Sequence, residues 1–136
     1  MIDSFKPKGI THVTLRVNDI KRSEEFYGDI LGFEVERRMG QTMTVYRIGI
    51  DSLVIVEAET AYDESSRDYR VDHFGFNVDS PEVVNEMYQH IREKEVTVIN
   101  GPGNRKNGRY LFISDPDGNL IEIFHEDYDF KKKKKK

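Results

Sequence analysis

Four residues in this chain have the types and spacing to hold a divalent metal: His12, Glu57, His73 and Glu122. Two imidazoles and two carboxylates suit one first-row divalent ion per site, whether manganese, iron, cobalt, nickel or zinc, with room left for one or two waters. Calcium prefers an all-oxygen shell, so two histidines argue against it. There is no cysteine, which excludes thiolate sites and disulfides. Glu122 lies between Ile121 and Ile123 in a segment apolar enough for a central strand. A carboxylate buried there needs a partner. A strand glutamate can instead pair with a cation such as Arg16 or Arg47, and Glu59 shares the parity of Glu57 and competes with it for the ligand role.

The elements that must position these residues occur twice. Ile10-Thr-His-Val-Thr-Leu-Arg-Val-Asn18 aligns with Val71-Asp-His-Phe-Gly-Phe-Asn-Val-Asp79, so that His12 falls on His73, Leu15 on Phe76 and Val17 on Val78. Both segments alternate, with the histidine on the parity opposite the apolar residues, as in a half-buried strand. A helix is predicted from about Ile20 to Leu31, with Asn18 or Asp19 as N-cap and Gly32 at its end. The second helix starts with Ser80 as N-cap and Pro81 at the first helical position. Three strand-like segments follow each helix: 33–38, 43–48 and 53–59, then 96–99, 109–114 and 120–125. The turns Gly49-Ile-Asp-Ser52 and Asp115-Pro-Asp-Gly-Asn119 close the last hairpin of each half. The expectation is an α+β chain of two βαβββ modules, forming a cupped mixed sheet with helices outside. Module one spans 9–59, a polar linker 60–70, module two 71–127, and a Lys-rich tail 128–136.

Of the 21 basic residues, six are the run Lys131 to Lys136, leaving 15 against 25 acidic, a charge of −10 for the body. An acidic body argues against nucleic acid as a partner. The lysine run reads as a self-repelling tail, native or added as a tag. No apolar run approaches the roughly 20 residues of a membrane helix, and no export signal is visible at the start. A cysteine-free chain fits a reducing cytoplasm.

The segments above, with Ser23-Glu-Glu-Phe-Tyr-Gly-Asp-Ile-Leu-Gly-Phe33 and Asp115-Pro-Asp-Gly-Asn-Leu-Ile-Glu-Ile-Phe124, resemble the vicinal-oxygen-chelate superfamily over residues 9–127. That superfamily includes glyoxalases, fosfomycin- and bleomycin-resistance proteins and extradiol dioxygenases. The resemblance implies that His12, Glu57, His73 and Glu122 match the four metal places of the glyoxalase pattern. The fosfomycin-resistance and dioxygenase patterns use three ligands, ending in a glutamate. Bleomycin-binding members generally lack the metal set.

The leading expectation is a metal-dependent lyase or isomerase of glyoxalase type, acting on a small substrate that chelates the metal through adjacent oxygens. The resemblance makes Glu57 the favoured base, with Glu122 the alternative in a pseudo-symmetric site. The alternatives are an epoxide-opening transferase or hydrolase of fosfomycin-resistance type, an extradiol dioxygenase, or a protein that sequesters a small molecule such as an antibiotic. Arg105 and Arg109, in the glycine-rich stretch 100–109, are candidates to hold an anionic substrate group; a solvated hairpin loop is the competing reading. Tyr46 and Tyr110 hold similar places in the two halves and either line the cup or pack the core. Each half has little core of its own and exposes sheet, so a homodimer is expected, as is common in the resembling family.

Overall fold

The computed structural model describes residues 3, 4, 10, 12–61, 63, 73–105 and 108–126. Most of the linker expected at 60–70, the lysine tail at 128–136 and the residue pair 106–107 lie outside the described residues. The chain divides into two compact units, Met1–Tyr62 and Asp63–Lys136. Among the described residues, the first unit runs β1 (His12–Val17), α1 (Ile20–Glu24), β2 (Glu34–Met39), β3 (Met43–Ile48) and β4 (Asp51–Glu57). The second runs β5 (Phe74–Asn77), α2 (Pro81–Glu93), β6 (Val98–Arg105), β7 (Gly108–Ser114) and β8 (Leu120–Glu126). Each unit is one mixed four-stranded sheet, of order β1-β4-β3-β2 in the first and β5-β8-β7-β6 in the second. The first and last strands of each unit pair in parallel, and the other pairings are antiparallel. The fold is α+β.

In the first unit, Asp19 caps α1 by accepting from the Arg22 amide. The helix does not end at Glu24. It widens into a π-helical turn over Glu25–Ile30, which buries Phe26 and Tyr27, and Gly32 leaves it with a positive φ. Leu15 and Val17 of β1, Leu53 and Ile55 of β4 and Tyr46 of β3 bury under this helical segment. The turn after β3 is two residues, with Gly49 in the left-handed region, which joins Ile48 directly to its partner Asp51.

In the second unit, Ser80 caps α2 and Pro81 opens it. Val84 and Ile91 are fully buried, as are Leu111, Ile113 and Ile121 of the sheet. The stretch from Asn100 to Arg105, which reads in sequence as part of a hairpin loop, is strand instead. It pairs with β7 through two register shifts, so β6 bends where the glycines sit. Gly103 must be small because a Cβ there would come within 2.7 Å of the Tyr110 hydroxyl. The turn between β7 and β8 is closed by the buried Asp115, whose carboxylate accepts from the amides of Asp117 and Asn119 and from the Asn119 side chain. No described helix is long and apolar enough to cross a membrane.

Tyr46 carries a consequence for alkaline stability. Its side chain is fully buried beside the rings of Tyr27 and Phe33. Burial, then the carboxylates of Glu24 and Asp29 against the opposing charge of Arg38, push the phenol from 10.0 up to about 12. The folded state therefore holds a proton that the unfolded chain gives up. Stability from this residue is intact below pH about 10 and is lost progressively as pH rises toward about 12, by on the order of 2 kcal/mol. The stability of wild type relative to Tyr46→Phe should therefore fall across that window in denaturant titrations. A difference that stays constant with pH would remove this account.

Candidate metal and substrate site

The parallel pairing of the outer strands decides which residues share a face. In the second unit Gly75 stands beside Glu122, and Phe112 stands beside Glu122 on the other side. Tyr110 stands beside Phe124. These residues form the face opposite α2, since the alternate positions Leu111, Ile113, Ile121 and Ile123 are the buried ones. His73, just before β5, belongs to the same face, and its ring meets Phe112 edge-on at 5.5 Å. Two predicted ligands, His73 and Glu122, are thus gathered around one phenylalanine. Gly75 makes this possible: a Cβ there would lie 2.8 Å from the Glu122 carbonyl oxygen and 3.1 Å from its Cβ.

The Glu122 side chain is only 12% exposed and already has a cation. Arg105, at the end of β6, bonds its carboxylate through a guanidinium nitrogen. The guanidinium carbon also lies 4.6 Å from the Tyr110 ring centre, 5.1 Å from Phe124 and 5.5 Å from Phe112, so three aromatic faces surround it. Phe112 and Phe124 were not singled out in the sequence. Their signal is the alternation in 109–114 and 120–125, where aliphatic Leu111, Ile113, Ile121 and Ile123 go to the helix and Tyr110, Phe112 and Phe124 go to the other side.

In the first unit His12 lies on the face away from α1, above a shallow concavity of about 340 Å³ that also touches Thr14, Arg37, Met39 and Met43. Glu57 does not join it. His12 pairs with Ser52 and Glu57 with Val17, which places Glu57 at the far end of β4 and on the helix face. There its carboxylate accepts from the Ile20 amide at 2.9 Å, at the positive end of the first helical turn. The residue of β4 that corresponds to Glu122 is Val54, the partner of Thr14, just as Glu122 is the partner of Gly75. Glu59 lies beyond the strand and is exposed.

Two further candidates are redirected. Tyr46 is buried under α1, away from the face of His12, while Tyr110 does line the open face of its sheet. Arg109 and Arg105 part company. Arg109 bonds Asn85 of α2 at 2.7 Å and Asn104 at 2.9 Å, on the helix side of the sheet. Among the described residues, no three His, Asp or Glu side chains converge closely enough to form a closed metal site. Within the second unit the donor chemistry still suits a divalent ion: a sheltered carboxylate that already attracts a cation, with a histidine on the same face.

A family model described as the glyoxalase/bleomycin resistance protein/dioxygenase superfamily matches residues 9–123. The chain is 30% identical over 117 residues to the metallothiol transferase FosB of Staphylococcus epidermidis, covering 85% of this chain and 82% of the relative. It is 31% identical over 126 residues to a probable lactoylglutathione lyase of Synechocystis sp., covering 84% and 92%. In structure it is similar to a glyoxalase/dioxygenase from Nostoc punctiforme, with a TM-score of 0.78 at 22% identity, covering 93% and 96%.

The placement of Glu57 is directly testable. Replacing it with alanine should remove a cap and cost about 1 kcal/mol, or a few degrees in melting temperature, while leaving bound metal at the wild-type level. Loss of metal without loss of stability would show that Glu57 acts as a ligand after all.

Proposed function

Since the chain belongs to the glyoxalase/bleomycin resistance protein/dioxygenase superfamily, we propose that it is a divalent-metal-dependent transferase that joins a small thiol to an electrophilic substrate bearing adjacent oxygens. His12, His73 and Glu122 are the ligands in this reading, and nickel, zinc, manganese, iron or cobalt would satisfy them. The observation that carries it is the commitment of Glu57 to the start of α1. A glyoxalase-type isomerisation calls on that carboxylate as fourth ligand and base. A thiol transfer of the metallothiol transferase kind, as in the FosB relatives, calls on three ligands only.

The bound metal would act as a Lewis acid toward substrate oxygen. With an epoxide, the thiol sulfur forms a bond to carbon as the carbon–oxygen bond breaks. The oxygen keeps the electron pair and ends with the proton the thiol gave up. The chain's own part is to hold the reactants. Tyr110, Phe112 and Phe124 give an apolar wall that excludes water, and Arg105 offers a forked donor for an anionic group such as a phosphonate. A lactoylglutathione-lyase-like reaction is the second reading, favoured by the 31% identity to a relative of that name. In that case Glu122 is the remaining carboxylate able to move a proton. The enzyme is proposed to work in the cytoplasm as a homodimer.

The test starts with metal content. Purified wild type should hold about one transition metal per chain, and His73→Ala and Glu122→Ala should hold almost none. Loaded protein should then consume a thiol in the presence of fosfomycin. Turnover of a 2-oxoaldehyde–thiol adduct with no thiol transfer would move the assignment to the second reading. No metal after reconstitution with all five ions would leave a sequestering protein on this fold.

A further inference from the structure

We propose that Arg105 is a built-in counter-cation for Glu122 which a divalent metal must displace, so that loading the metal and freeing a guanidinium for an anionic ligand are one event. The inference rests on the metal reading above. Glu122 is sheltered and, unpaired, would be costly. Arg105 meets that need in the protein as it stands. A metal would seek the same carboxylate oxygens. Two cations on one small carboxylate repel each other, and a guanidinium cannot relieve the repulsion by giving up its proton. Arg105 must therefore swing off.

Tyr110, Phe112 and Phe124 lie 4.6–5.5 Å from the guanidinium, so cation–π attraction can retain it on the same face after its carboxylate is taken. Its donors then point at whatever anion approaches. By linkage, an anion that draws Arg105 away from Glu122 must strengthen metal binding by the same factor that metal strengthens anion binding. Arg109 has no part in this exchange, being held on the helix side by Asn85 and Asn104.

Calorimetric titration of metal-free protein with Mn²⁺ at low ionic strength, with and without methylphosphonate, tests the exchange. Arg105→Met keeps an apolar stem among the rings and removes the charge. It should bind Mn²⁺ roughly tenfold tighter than wild type, a gain that shrinks with added salt. Methylphosphonate should tighten Mn²⁺ binding to wild type and leave Arg105→Met unaffected. Arg109→Met controls for the general loss of one positive charge and should stay within about twofold of wild type. If the Met variant does not fold by circular dichroism, Arg105→Lys, which cannot fork or stack as a plane, takes its place and should bind tighter than wild type. Equal Mn²⁺ affinity in wild type and the Arg105 variant, or an equal gain in Arg109→Met, would overturn the exchange while leaving the metal reading in place. Absence of Mn²⁺ binding in every protein would overturn the metal reading, and the exchange with it.

Discussion

Parallel pairing between the first and last strands of each unit governs where the chemistry can lie. A strand has a period of two, so moving a residue by one position sends its side chain to the other face. Gly75 beside Glu122 puts that carboxylate on the face of His73. Val17 beside Glu57 puts that one under the helix. The same residue type on the same kind of strand thus serves two different ends. One carboxylate is available to a cation, and the other accepts from one amide at the start of a helix. Both placements follow from register, and neither depends on the identity of any distant residue.

The two units share a plan and have diverged within it. His12 and His73 hold equivalent places, while Val54 stands where Glu122 does. The second unit therefore carries the paired histidine and carboxylate, together with the aromatic face around them. The first unit carries its own histidine at the matching place, and its last strand ends in a residue that accepts from the start of a helix. Such asymmetry is expected of a duplicated module in which one ligand set suffices. A second carboxylate on the open face of β4 would need its own cation, and the apolar Val54 does not.

Much of this was legible in the residues. The repeat, the strand-helix order, the caps at Asp19 and Ser80 and the face of His73 and Glu122 all follow from alternation and turn chemistry. The face of Glu57 was not legible, because Leu53-Val-Ile-Val56 is apolar at every position and offers no alternation from which to read parity. Matching Glu57 to Glu122 by type then put it three positions beyond Val54, the residue that mirrors Glu122, and so on the opposite face. Arg109 is redirected for a related reason, and Tyr46 takes the core-packing place that was one of its two readings. An arginine in a glycine-rich stretch reads as loop, yet β6 and β7 continue as strand through it, and strand parity separates Arg105 from Arg109. Tyr46 has an apolar body that suits either face, and the rings of Tyr27 and Phe33 claim it for the core.

What alternation cannot encode is which cation a buried carboxylate keeps. The segment around Glu122 demands one, and three kinds of partner satisfy the demand: an arginine, a lysine or a metal. A guanidinium is local and permanent, whereas a metal brings two charges and open positions but must come from solution. A chain that carries its own arginine is not left with an uncompensated charge before the metal arrives, so its fold does not depend on metal supply. The cost is affinity, because every ion bound must first undo an ion pair. The aromatic rings, already around the guanidinium, lower that cost by keeping it on the same face once its carboxylate is taken. In the proposed exchange, Arg105, Glu122 and the three rings would act as one unit, in which folding, metal uptake and anion recognition all draw on the same charge.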